Sequence, residues 1–167
     1  MLFLFLFLLV VFMLIHGCMV IIRSFFYKVK INAILEDIST VEDLVYIRFK
    51  DFLNVTAEVF RRKGYNVSVT DKCGEEGRGL ILNDIQFVEI WKHARSQLVD
   101  VETAMKLTKC MQSNSIYRGM IISLGDFKQS TRLFCHKNVI ECINGEQLLE
   151  MFKEVQKRKD MLETSKG

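Results

Sequence analysis

The chain has no proline at all. Proline breaks helices and stiffens extended linkers, so a proline-rich spacer between separate modules is excluded, and boundaries must come from glycine, capping residues or changes of hydrophobic period. Cysteine pairs at C-x-x-C spacing are also lacking. Cys18, Cys73, Cys110, Cys135 and Cys142 are odd in number and widely spread, which supports neither a disulfide framework nor a zinc site and leads to an expectation of buried, reduced thiols. No internal repeat and no low-complexity stretch is evident. Tryptophan occurs once, as Trp91, and is expected to pack in the core rather than to stack on a base. His93 and His136 have no partner at ligand spacing and read as ordinary polar residues. The largest absence is of charge: residues 1–22, MLFLFLFLLVVFMLIHGCMVII, contain no Asp, Glu, Lys or Arg.

As a helix those residues would span about 33 Å at ~1.5 Å per residue, enough for a hydrocarbon core of ~30 Å. A cleaved signal peptide competes with this reading. Against it, no positive residue precedes the run, the run exceeds the usual h-region of about 7–15 residues, and no small-x-small cleavage site follows. A retained single-pass anchor over residues 1–22 is therefore expected. Arg23, Lys28 and Lys30 lie just after it, so the positive-inside bias places the C-terminal domain on the cytoplasmic side. Residues 23–40 alternate aromatic and basic side chains, with Phe25, Phe26 and Tyr27 suited to headgroup depth, and are expected to form a juxtamembrane tether.

The remaining chain carries the whole net charge of +3, a mild excess that tolerates an acidic surface without requiring one. Ser39 or Thr40 followed by Glu42 or Asp43 is a capping pattern. Phe52, Val55, Val59 and Phe60 then recur at helical spacing up to a stop at Gly64. YNVSVT reads as a strand, DKCGEEGRG as a loop, and LIL and QFVEIW as strands joined by a turn at Asn83-Asp84. DVETAMKLTKCMQS has helical spacing, YRGMIISL is a buried strand, DFKQSTRLFCHK a helix, VIECI a short strand and NGEQLLEMFKEVQKRKDML a closing amphipathic helix. The order αβββαβαβα predicts an α/β domain with a central mixed sheet over residues 41–160, followed by a polar tail, 161–167.

Five phrases in this order, DFLNVTAEVFRRKGYNVSVT, GRGLIL, FVEIWKH, GMIISLGDF and VIECINGEQLLEMF, resemble the Mrr-type restriction endonuclease domain of the PD-(D/E)xK nuclease-like superfamily, and together cover about residues 46 to 156. The resemblance implies a three-layer α/β/α fold. It also implies phosphodiester hydrolysis, in which acidic residues hold Mg²⁺ and a lysine assists the attacking water. Carried over position by position, the helix acid falls on Leu53, the Asp of a Gly-x-Asp phrase on Gly79, and the Gln or Glu two before the lysine on Ile90. Lys92 alone matches. A hard cation needs oxygen ligands, and three of the four positions offer none.

The resulting expectation is a membrane-anchored domain of nuclease fold without catalysis, binding DNA or another acidic partner. Contacts would come from Arg61, Arg62, Lys63, Lys92, His93, Arg95, Lys128 and Arg132 if those side chains converge. No metal site, cofactor or small-molecule substrate is expected. Two alternatives stay open. One is an active endonuclease with relocated carboxylates drawn from Glu75, Glu76, Asp84 or Glu89, in which case Mg²⁺ enters as cofactor. The other is a scaffold for a protein partner or a second copy of the chain, with no role for nucleic acid.

Overall fold

The computed structural model describes residues 2–72, 74 and 77–164. Helix α1 runs from Leu2 to Asp37 without a break. Among the described residues it is the helix long and apolar enough to cross a membrane, by length and composition. Residues 23–37, most of the expected tether, continue the same helix as the apolar run. The physical reason is a short apolar stripe: Ile31 and Leu35 on α1, with Ile38 just beyond it, are buried in the core of the following domain. The last carbonyls of α1 are capped as well, since the Gln156 amide donates to the Leu35 oxygen at 2.6 Å and to the Ile38 oxygen at 2.9 Å.

The capping pattern forms as expected. Thr40 Oγ1 accepts from the Asp43 amide, and Asp43 accepts from the Thr40 amide at 2.8 Å. The Ser39 amide, followed by the Thr40 amide, holds the Asp43 carboxyl down at about 2. The box starts α2 (Val41–Tyr46), which is separate from α3 (Phe49–Arg62). One continuous helix was expected here. Ile47 and Arg48 are instead extended, at ψ 135° and 145°, and the turn lets Leu44 and Phe52 both reach the core. Gly64, at φ +95°, ends the segment after α3 in the left-handed conformation that glycine adopts without a Cβ penalty.

Five strands form one sheet in sequence order: β1 (Val67–Thr70), β2 (Gly79–Leu82), β3 (Gln86–Trp91), β4 (Arg118–Ser123) and β5 (Ile140–Ile143). The first three are antiparallel neighbours and the last three are parallel. Asn83 and Asp84, both at positive φ (51° and 60°), make the β2–β3 hairpin as anticipated. Helices α4 (Val101–Ser113) and α5 (Gln129–Lys137) supply the parallel crossovers, and α6 (Gly145–Thr164) closes the domain, taking in residues 161–164 of the expected tail.

Alternation along the strands divides the apolar residues between two faces. Leu80, Leu82, Val88, Ile90, Met120 and Ile122 pack under α1, α2, α3 and α6. Phe87 and Ile121 pack with Ala104, Leu107 and Met111 of α4 and Cys135 of α5 on the other side. The expected three-layer α/β/α architecture is therefore present. Trp91 packs partly buried against this second cluster, its ring centroid 4.1 Å from that of His93. The expectation of buried, reduced thiols holds only in part: Cys18, Cys135 and Cys142 are free, but Cys18 is exposed and Cys110 is disulfide-bonded. Cys73 lies outside the described residues.

Candidate functional site

The four positions inherited from the nuclease pattern do not converge as a cation site. Leu53 projects from the buried side of α3 and Ile90 from β3 into the same core cluster, and they are 2% and 0% exposed. Gly79 opens β2 opposite Thr70. The ladder pairs Leu80 with Val88 on the Ile90 face, so by alternation a side chain at position 79 would leave the sheet on the opposite side. Leu53 and Ile90 contribute branched alkyl groups to that core.

Lys92 follows β3 directly. Its amine donates to the Val45 carbonyl oxygen at 2.7 Å and stands 6.0 Å from the Phe52 ring centroid. Val45 lies in the last turn of α2, where carbonyls lack an intrahelical donor. The one retained motif residue thus satisfies a helix C-terminus, a contact that ties the end of β3 to α2.

The relocated carboxylates fare no better where they are described. Glu89 is buried, but it alternates with Ile90 and so belongs to the other face of the sheet. Asp84 is exposed at the hairpin tip. Glu75 and Glu76 lie outside the described residues. Among the described residues no three His, Cys, Asp or Glu side chains are grouped to hold a metal ion.

Most of the basic residues meet an acid. Arg61 and Arg62 both reach Glu58, at 3.6 and 3.2 Å, and Arg62 also donates to Asn32. Lys63 pairs with Glu154 at 2.8 Å. Arg95 bridges Glu42 and Glu146, so it clasps α2 to α6. Lys128 pairs with Asp100, and Arg132 with Asp126. Hydrogen bonding from Lys128 holds the Asp100 carboxyl below its usual range, and the Phe127 amide followed by Arg132 does so for Asp126. Arg61 to Lys63 stand at the end of α3, Arg95 beyond β3, and Lys128 and Arg132 at the start of α5, against the opposite face of the sheet.

A buried carboxylate that the sequence did not single out is Asp51, in the first turn of α3. Its Oδ2 accepts from Lys30 of α1 at 2.8 Å and from the Arg48 guanidinium at 3.0 Å, and Tyr27 lies 3.5 Å from Oδ1. It stands two residues before Leu53, about 200° round a helix with ~3.6 residues per turn. Its bond to Lys30 fastens α1 to α3. The signal that could have found it is Arg48 three residues earlier on the same face. Burial alone would raise the Asp51 pKa, but hydrogen bonds from Lys30 and Arg48 outweigh it and the net shift is downward.

A carboxylate whose folded pKa is depressed stabilises the fold above its unfolded value, and that contribution disappears as pH falls through the folded pKa. Asp51→Asn is expected to lower stability at neutral pH by about 1.5 kcal/mol, toward the low end for charged hydrogen bonds because Lys30 and Arg48 also face solvent. Melting curves should converge with those of the native chain below pH 3.8, the unperturbed carboxyl value. A constant gap down to pH 2 would contradict this origin.

Comparison with known proteins places these observations. A solved structure described as "MspJI Restriction Endonuclease in Complex with 27-mer Oligonucleotide" is 14% identical, with a TM-score of 0.43 over 62% of this chain and 27% of that one, so the chain spans about a quarter of its length. No curated protein matches. Residues 46–152, well over half of the chain, match the Mrr_cat restriction endonuclease family, from the end of α2 into the first turns of α6. The chain belongs to the Mrr_cat restriction endonuclease family.

Proposed function

We propose that this protein is a membrane-anchored Mrr-type domain that has exchanged cleavage for binding, with a protein partner or a second copy of the chain as the partner class. One observation carries the loss of cleavage: Leu53 and Ile90 occupy the ligand positions and are sealed in the apolar core. Divalent cations take oxygen ligands, and in nuclease chemistry the cation activates water and neutralises the developing phosphate charge. Without such ligands the amine of Lys92, engaged with the Val45 carbonyl, has no reaction to assist.

DNA is the second reading, favoured by membership of a restriction endonuclease family. The acid partners of Arg95, Lys128 and Arg132 argue against it, because each would have to be displaced before a phosphate could be neutralised.

The test is a plasmid-nicking assay with Mg²⁺ or Mn²⁺ on the full chain in detergent and on its Lys92→Met variant. No nicking is expected from either, and the variant should lose about 1 kcal/mol of stability through the lost bond to Val45. Metal-dependent nicking abolished by Lys92→Met would overturn the proposal. Duplex binding at low salt that weakens steeply as salt rises would favour DNA.

Orientation follows from Arg23, Lys28 and Lys30, which favour the cytoplasmic side for the domain. The disulfide at Cys110 favours an oxidising compartment instead. Protease protection in sealed vesicles decides between them.

A further inference from the structure

The face of α1 just beyond the apolar run and the exposed flank of α3 diverge to leave a cavity of about 470 Å³. Residues 24, 28 and 31 of α1 and residues 54, 58 and 61 of α3 line it, each series spaced three or four apart as one face of a helix is. Two cations reach it, Lys28 and Arg61, together with the amide of Asn54 and the hydroxyl of Ser24. Glu58 also lines the cavity, where it meets Arg61 at 3.6 Å and, from outside the lining, Arg62 at 3.2 Å, so two guanidinium groups share its one charge. Lys28 has no acidic partner within 4 Å among the described residues. The cavity therefore carries an excess of positive charge beside neutral hydrogen-bonding groups, and its size lies within the ~300–1,000 Å³ of ordinary small-molecule sites.

Its height is fixed by the helix. The apolar run ends at Ile22, so at ~1.5 Å per residue Ser24 lies about 3 Å and Lys28 about 9 Å beyond it. Headgroup regions extend roughly 5–8 Å beyond each side of the hydrocarbon. Phe25 and Phe26 are exposed at the same level, where aromatic side chains anchor to the interface.

We infer that this cavity is a binding site for the phosphate-bearing headgroup of an anionic phospholipid, with Lys28 and Arg61 facing the phosphate and Asn54 and Ser24 hydrogen-bonding the remaining oxygens. The inference rests on the membrane-anchored reading of α1. A lipid that bridges α1 and α3 supplements Asp51 as a fastening between anchor and domain.

The experiment begins with flotation of the full chain on vesicles of phosphatidylcholine. Failure to float overturns the anchor and the site together. With the chain in nanodiscs of mixed phosphatidylcholine and phosphatidylglycerol, native mass spectrometry then reads which lipid stays bound. Preferential retention of phosphatidylglycerol is expected, falling about fivefold for each of Lys28→Gln and Arg61→Gln, as for single cations near an anionic surface. Asn54→Phe, which fills the space without changing charge, should lower retention too, while Lys157→Gln on α6 should not. A chain that floats but shows no preference, or whose preference survives both Lys28→Gln/Arg61→Gln and a folded Asn54→Phe variant, overturns the site and leaves the anchor standing. Displacement of the lipid by millimolar inorganic phosphate would assign the cavity to free phosphate and overturn the lipid assignment.

Discussion

Ile90→Asp is expected to unfold the domain rather than to rebuild a nuclease centre. Ile90 is fully buried between α3 and the sheet, in the cluster that holds Phe52, Leu53 and Ile122. The substitution removes an alkyl group from a close-packed site and introduces a carboxyl with no described basic partner there. Large-to-small core changes alone cost about 2–5 kcal/mol, and an unpaired buried polar group adds roughly 1–3 kcal/mol. Together they come to about 3–8 kcal/mol, a large share of the ~5–15 kcal/mol that holds a typical domain folded. Millimolar Mg²⁺ should restore none of it, whereas a cation present at 100 times its dissociation constant would return ~2.7 kcal/mol. Chemical denaturation in detergent with and without Mg²⁺ measures both quantities. A folded Ile90→Asp chain stabilised by the metal would mean that the ancestral site is still latent.

Leu35→Asp should release the anchor helix from the domain while leaving the sheet intact. Leu35 is fully buried in the principal core cluster, and its carbonyl accepts from Gln156 of α6. Ile31 and Ile38 are buried beside it in the same cluster, so a charge at position 35 must either be buried unpaired or drag the end of α1 into solvent. Loss of about 3–5 kcal/mol of docking free energy is expected, by analogy with other buried large-to-small changes made polar. Hydrogen exchange should accelerate across residues 31–38 and stay slow in β3 and β4. Uniform acceleration over the whole chain would show instead that α1 and the sheet unfold as one unit.

Much of the architecture was legible because strand and helix periods differ so plainly. QFVEIW and YRGMIISL are short apolar runs bounded by turn residues, and Asn83-Asp84 suits a two-residue hairpin; β3, β4 and the turn fall there. The expectation at Leu53 and Ile90 rested on a different argument, that a hydrocarbon side chain cannot ligate, and both side chains lie in the core. Other features were hidden. The continuation of α1 to Asp37 was masked by Arg23, Lys28 and Lys30, which look like the flank of a membrane span, while the docking stripe is only Ile31, Leu35 and Ile38. The break at Ile47-Arg48 has neither glycine nor proline to announce it. The bond from Lys92 to Val45 spans 47 positions, and Arg95 meets its acids 53 and 51 positions away. Pairings of that range are products of tertiary structure and leave no trace in local spacing.

The unbroken course of α1 also sets a standoff. A helix of 36 residues is about 54 Å long, and a bilayer interior of ~30 Å would leave roughly two nanometres of it for the mount. A body on so short and jointless a mast can spin about the normal and drift sideways, but it cannot nod. On the membrane-anchored reading proposed above, its encounters would be confined to a thin slab of solvent, where search is planar and one rim of the sheet always points the same way.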